Sequence, residues 1–214
     1  MNRSPNSSYE NKSQHPAKPL QFSPFIQQKH VYLCPMRKLR NAELHRKTVE
    51  QFQEHPKLPI VVVLDNVRSM NNVGSIFRTA DAFLVQKLVL CGITGTPPHR
   101  EITKTAIGAE KSLQWEYEKS TLEAVQKLKA QGYILIALEQ ADGALDLMKN
   151  ELNFSPVAFI LGNEIDGVAQ EVIDACDYCV EIPQLGTKHS FNVAVSFGML
   201  LWDYAKTNRL FDTP

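Results

Sequence analysis

The chain contains no apolar run long enough to span a bilayer, and its N-terminus lacks the apolar core of a signal peptide. Cysteine is scarce, four in 214 residues with no regular spacing, which suits a reducing compartment. A chain of this length buries a stable core without disulfide or metal staples. The expectation is a soluble cytoplasmic protein with no membrane partner and no metal. Several familiar chemistries are missing as well. There is no G-x-x-x-x-G-K-[ST] phosphate loop, no G-x-G-x-x-G after the first strand-like run and no G-x-S-x-G elbow. Cys176 and Cys179 form a C-x-x-C, but one ends a helical pattern and the other lies inside a strand pattern. A thioredoxin-type pair needs its first Cys at a helix N-terminus, and a zinc site needs more ligands nearby. Both read as small core residues.

Net charge is absent too, with 23 Lys/Arg against 23 Asp/Glu. That balance hides a split. Residues 1–57 hold ten basic and four acidic side chains, or +6, and residues 58–214 hold thirteen and nineteen, or −6. A basic segment on an acidic body suits a polyanionic partner met by one face, although a solvated surface helix has the same pattern.

What is present alternates. Residues 1–35 are rich in Asn, Ser, Gln, Pro and Lys, and their composition predicts a mobile polar tail. Residues 36–57 carry a basic amphipathic pattern, marked by Leu39, Leu44, Val49 and Phe52, and predict one surface helix ending before Pro56. From residue 58 to 214, buried strand patterns such as "PIVVVLD", "KLVLCG", "YILIALE", "PVAFILG" and "YCVEIP" are each separated by helical or loop segments. "LQWEYE" alternates like an edge strand, a short helix is expected around Ile102–Gly108, and the last helix is expected to start at Ser190. Continuous Val/Ile/Leu strands joined by helices predict an α/β fold: a parallel sheet with helices on both faces. Ligands of such sheets sit outside the carboxyl ends of the strands. That directs attention to Asp65–Arg78, Cys91–Glu101, Leu161–Gly167 and Ile182–Asn192.

The first junction reads "LDNVRSMNNVGSIFRTADAF", with Asn72 as candidate N-cap and Gly74 permitting a close approach to the first helical turn. Arg78 sits among apolar Ile76, Phe77 and Ala80, so it either snorkels to the surface or is aimed at a phosphate or carboxylate. In "FILGNEIDGV" a tight turn accounts for Gly162 and Gly167 but not for Glu164, whose ordinary role would be capping the next helix near Val168. In "IPQLGTKHSFNVAVSFGMLLW" a Pro/Gly loop with Lys188, His189, Ser190 and Asn192 stands directly on a very apolar helix. Ser190 as a simple N-cap is one explanation; a ligand-holding loop is the other.

Three blocks, "NNVGSIFRTADAF", "FILGNEIDGV" and "VEIPQLGTKHSFNVAVSFGMLLWDY", resemble in this order the three motifs of the SpoU (TrmH-like) branch of the SPOUT RNA methyltransferases, over roughly residues 58–207. The resemblance implies an S-adenosylmethionine-dependent methyl transfer to a ribose 2′-hydroxyl of tRNA or rRNA, a trefoil-knotted C-terminal half and a homodimer. It implies catalytic roles for Asn72, Arg78, Glu164, Ser190 and Asn192, and a cofactor cradle at Leu161, Gly162, Ile182, Pro183, Leu185 and Phe191. It also offers Arg78 as proton acceptor. A guanidinium is essentially never neutral in a protein, so positioning and charge stabilisation fit Arg78 better. RNA contacts are expected from Arg37, Lys38 and Arg40 and from His99, Arg100 and Lys104 in "TPPHREITK". Phe191 replaces the leucine usual between the motif's serine and asparagine, and neither a ribosomal-protein-like N-terminal domain nor a long basic C-terminal extension is apparent, so no RNA target follows. The rival readings are a catalytically silent RNA-binding factor on the same fold, base rather than ribose methylation, and a small-molecule α/β enzyme that turns over without RNA.

Overall fold

The structure, a computed structural model, describes residues 36–212. The expected tail, residues 1–35, lies outside them. The chain divides into two units, one ending at His45 and the other beginning at Arg46. The described part of the first unit has a single 3-10 turn, Asn41–Leu44, ended by His45 in the left-handed region at φ 46°. The second unit opens with α1, Val49–Glu54, capped by the Thr48 hydroxyl. The single basic helix expected over this stretch is therefore two short pieces. Left-handed His45 and extended Thr48 both break the helical path between them.

Strand β1 (Leu58–Asp65) carries the logic of the sheet. Ile60, Val62 and Leu64 point into one core cluster, and Val61 and Val63 into the other. Both faces are thus dry, which is why the strand reads as an unbroken apolar run. The remaining elements are α2 (Met70–Ala82), β2 (Val85–Cys91), α3 (Arg100–Ala106), α4 (Ala109–Ser112), β3 (Gln114–Glu118), α5 (Thr121–Ala130), β4 (Ile134–Leu138), β5 (Leu145–Asp146), β6 (Val157–Leu161), α6 (Gln170–Ala175), β7 (Tyr178–Glu181) and α7 (Val193–Thr207). The strands form one sheet in the order β3-β2-β1-β6-β4-β7-β5, and every pair is parallel. The larger cluster joins the sheet to α2, α3 and α7 through Val73, Ile76, Phe77, Ile102, Phe197, Leu200 and Tyr204. The second buries Val125 and Leu128 of α5 and Val172 of α6 on the opposite face. The α/β expectation holds, and β3 is an edge strand as its alternation suggested. The helix expected around Ile102–Gly108 is two helices, α3 and α4, separated by left-handed Ile107 and Gly108.

Two helix starts differ from expectation. Helix α2 begins at Met70, and Ser69 rather than Asn72 is its N-cap, accepting from Asn72 N–H at 3.3 Å. Helix α7 begins at Val193, not Ser190, and Asn192 caps it by accepting from Ala194 and Val195 N–H. Gly74 does admit a close neighbour, but that neighbour is α3. A Cβ there would lie 2.1 Å from Thr105 Oγ1 and 2.4 Å from the Ile102 carbonyl oxygen. Among the described residues no helix is long and apolar enough to cross a membrane.

Candidate cofactor and RNA site

A cavity of about 490 Å3 opens at the carboxyl ends of three adjacent strands, lined by their last residues, Leu138 of β4, Leu161 of β6 and Glu181 of β7. Two segments wall it. The turn after β6 supplies Gly162, Asn163, Glu164, Ile165, Asp166 and Gly167. The loop after β7 supplies Ile182, Gln184, His189, Ser190, Phe191 and Asn192, with Val193 and Ser196 of α7 beyond it.

The turn is tightly built. A Cβ on Gly162 would fall 2.1 Å from the Gly167 carbonyl carbon and 2.2 Å from Val168 N. Asn163 Oδ1 accepts from Ile165 N–H and Asp166 N–H, and Asn163 and Gly167 pair through their backbones. Glu164 does not cap the helix that follows it. It reaches instead to the start of α2, where Oε2 accepts from Arg68 N–H at 3.1 Å and Oε1 from Ser69 N–H at 3.1 Å and Asn72 Nδ2 at 2.7 Å. The unpaired amides of a helix start take an anion well. Burial raises the Glu164 pKa, but the hydrogen bonds from Asn72 and the backbone outweigh it and the net shift is downward. Glu164 is therefore a fixed anion near neutrality and a poor proton acceptor.

Asn192 extends the connection, its Nδ2 donating to Asn72 Oδ1 at 3.0 Å. Glu164, Asn72 and Asn192 come from the three separate blocks and form one chain of hydrogen bonds. Ser190 lines the cavity next to them. Of the expected cradle, Leu161, Gly162, Ile182 and Phe191 line the cavity; Pro183 and Leu185 do not, and Leu185 is fully exposed. Arg78 is not on the cavity wall either. It lies six residues beyond Asn72, about 9 Å along the helix and about 120° around it. It is exposed and makes no hydrogen bond or ion pair among the described residues.

Glu139 and Gln140 escaped the sequence reading. Glu139 Oε2 accepts from Val168 N–H at 3.0 Å and Oε1 from Gln140 N–H at 2.8 Å, which ties the end of β4 to the turn. Gln140 Nε2 donates to the His189 carbonyl at 2.6 Å and so ties β4 to the loop. Both follow a buried strand, so the strand-end rule applied to "YILIALE" would have found them.

Of the expected RNA contacts, His99 caps α3 by accepting from Glu101 N–H, while Arg100 and Lys104 are exposed and lie 4.0 and 3.7 Å from Glu101. In the first unit, Arg37 forms a forked pair with Glu43 at 2.6 and 3.1 Å, and Lys38 and Arg40 are exposed. Burial pushes the Cys176 thiol up to about 12 and the Cys179 thiol upward, as expected of packed rather than reactive thiols. Among the described residues no group of three or more His, Cys, Asp or Glu is placed to hold a metal ion.

A parallel sheet covered on both faces, with a cavity outside adjacent strand ends, defines the α/β class whose ligands sit at such strand ends. Residues 59–202 match the model of the SpoU rRNA Methylase family, and the chain belongs to that family. It is 32% identical over 143 residues to the 23S rRNA (guanosine-2'-O-)-methyltransferase RlmB of Neisseria meningitidis serogroup B, covering 67% of this chain and 56% of that protein. It is 33% identical over 153 residues to the tRNA (guanosine(18)-2'-O)-methyltransferase TARBP1 of Mus musculus, covering 71% of this chain and 10% of that protein. The fold superposes on an AdoMet-bound rRNA methyltransferase from Sinorhizobium meliloti with a TM-score of 0.65 and 28% identity, over 72% of this chain and 59% of that one. The chain spans 66% of a further relative, from Staphylococcus haemolyticus, so it is shorter than each of these curated relatives.

Proposed function

We propose that the protein is an S-adenosylmethionine-dependent RNA methyltransferase that modifies a ribose 2′-hydroxyl of tRNA or rRNA. The observation that carries this reading is the chain Glu164–Asn72–Asn192, which draws three distant blocks to the mouth of one cavity. The cofactor fits what is there. About 490 Å3 lies within the usual range for a small-ligand site. Leu138, Leu161, Ile182 and Phe191 offer apolar walls for an adenine, and Glu139, Glu164, Asp166 and Glu181 suit a ligand carrying sulfonium and ammonium charge. The bound cofactor would supply an electrophilic methyl with a neutral thioether as leaving group.

The chain's own task is then to orient a weakly acidic hydroxyl and manage its proton. Asn192, fixed by the helix end it caps and by Asn72, would orient the ribose. Ser190 would face the reacting oxygen. Glu164 would hold the start of α2 in register and keep its charge. Leu161, Gly162, Ile182 and Phe191 would form the cradle, with Pro183 and Leu185 drawn in only if the loop closes. Arg78 would meet RNA phosphate from the surface of α2, and the basic side chains Arg37, Lys38, Arg40, Arg100 and Lys104 would add non-specific affinity.

The reading includes a homodimer and the knotted C-terminal half. Val195, Met199 and Trp202 leave an exposed apolar stripe at i, i+4 and i+7 along α7, a surface suited to a second copy. Sedimentation would test this. The activity is tested by incubating the protein with labelled S-adenosylmethionine and bulk tRNA or rRNA, then digesting the RNA to nucleosides. A 2′-O-methylnucleoside is expected. A methylated base or transfer to small molecules without RNA would favour a rival, and no transfer to any RNA would favour a silent binding factor.

A further inference from the structure

The cavity's lining includes four carboxylates, Glu139, Glu164, Asp166 and Glu181, and neither lysine nor arginine. This suits a cationic cofactor but opposes the substrate. A ribose 2′-hydroxyl sits one carbon from the 3′-phosphate, so bringing the hydroxyl to the cavity brings a phosphate to the same acidic mouth. Something cationic must meet it there.

Arg68 is placed for that. The segment that carries it is well tied: Asn66 Oδ1 accepts from Ile93 N–H, Val67 N–H donates to Thr94 Oγ1, and Arg68 N–H and Ser69 N–H both donate to Glu164. Its head is nearly uncommitted. The side chain is 53% exposed, and its one ion pair among the described residues is a 3.9 Å approach to Asp166, whose side chain is 71% exposed. A pair that long and that wet is worth little and is released at small cost. Among the described residues Arg68 is the one arginine that pairs with a carboxylate of the cavity lining. An arginine kept for stability would spend its planar fork on fixed partners; this one has a rigid stalk and a free head.

We propose that Arg68 is a substrate-binding residue that clasps the phosphate 3′ to the methylated ribose, and that Asp166 holds the guanidinium until that phosphate displaces it. The proposal rests on the ribose-methyltransferase reading above. It assigns Asp166 a competing role, so the two substitutions must act in opposite directions.

The test uses the full chain, S-adenosylmethionine and whichever bulk RNA pool, tRNA or rRNA, the unaltered protein methylates. Arg68→Ala should raise the RNA KM about tenfold or more and reduce the salt slope of RNA binding by about one. Arg68→Lys should recover part of the affinity. Asp166→Asn should tighten RNA binding severalfold. Cofactor affinity should be unchanged in the two Arg68 variants and thermal stability in all three, which separates phosphate binding from a structural role. An unchanged salt slope in Arg68→Ala, or weaker RNA binding in Asp166→Asn, would overturn the proposal while leaving the methyltransferase reading intact. Failure of the unaltered protein to methylate either pool would overturn that reading and this one with it.

Discussion

The two walls of the cavity are built on opposite principles. The turn Gly162–Val168 is held at nearly every residue: Gly162 against the backbone of Gly167, Asn163 onto Ile165 and Asp166, Glu164 onto α2, and Val168 onto Glu139. The loop Ile182–Asn192 has few ties. Gln140 and Gln184 reach the His189 carbonyl, Asn192 reaches Asn72, and Leu185 through Asn192 are all exposed. Gly186 has nothing within 4 Å of where a Cβ would be. A site needs both kinds of wall. A preformed turn fixes where a ligand sits, and a lightly tied loop can follow it in and out.

The sharpest break of this contrast is Gly162→Ala. The new methyl has no room against backbone atoms, so the turn must shift at a cost of about 2–3 kcal/mol. S-adenosylmethionine binding should be lost, read as loss of its thermal shift. Next is Glu164→Gln, which keeps the shape and removes the charge that orders the start of α2. Methyl transfer should fall about a hundredfold, the scale set by a misplacement near 1 Å.

The same variant has a pH signature. The folded-state pKa of Glu164 lies below its unfolded value, so its contribution to stability is present above about pH 4.3 and fades as pH falls through the folded pKa. Melting temperature of the unaltered protein should therefore decline more steeply below pH 4.3 than that of Glu164→Gln. Parallel curves would show that the carboxylate does not stabilise the turn–helix link.

Arg78→Lys should lower methyl transfer about tenfold to a hundredfold through loss of the planar fork, with cofactor affinity unchanged. Full activity would mark Arg78 as a merely snorkelling side chain. Smallest of all is Gly186→Ala in the open loop, which should alter stability by no more than about 0.5 kcal/mol and turnover less than twofold.

The sheet was legible because β1, β2 and β6 are buried on both faces, and burial on both faces leaves apolar runs with few interruptions. Helix starts were less so, because tertiary partners decide them. Asn72 looks like a cap in isolation, but Glu164 takes its side-chain amide and Ser69 does the capping. Ser190 looks like one too, and Asn192 prevails while also bonding Asn72. β5 has only two residues, too few for any periodicity. Within the site, Gly162 and Asn192 stood out because a strand end and a buried helix flank them. Glu139 also follows a strand end, which marks its position, but its bond to Val168, far along the chain, is a tertiary contact that the sequence does not display.

Amide hydrogen exchange with and without S-adenosylhomocysteine tests the central claim, that a prebuilt turn and an open loop close on one cofactor. Without ligand, residues 162–168 should exchange slowly and residues 184–191 rapidly. With ligand, the loop should slow markedly while the turn changes little. Protection that bypasses both segments, or a loop that exchanges at the same rate with saturating ligand, would contradict the account.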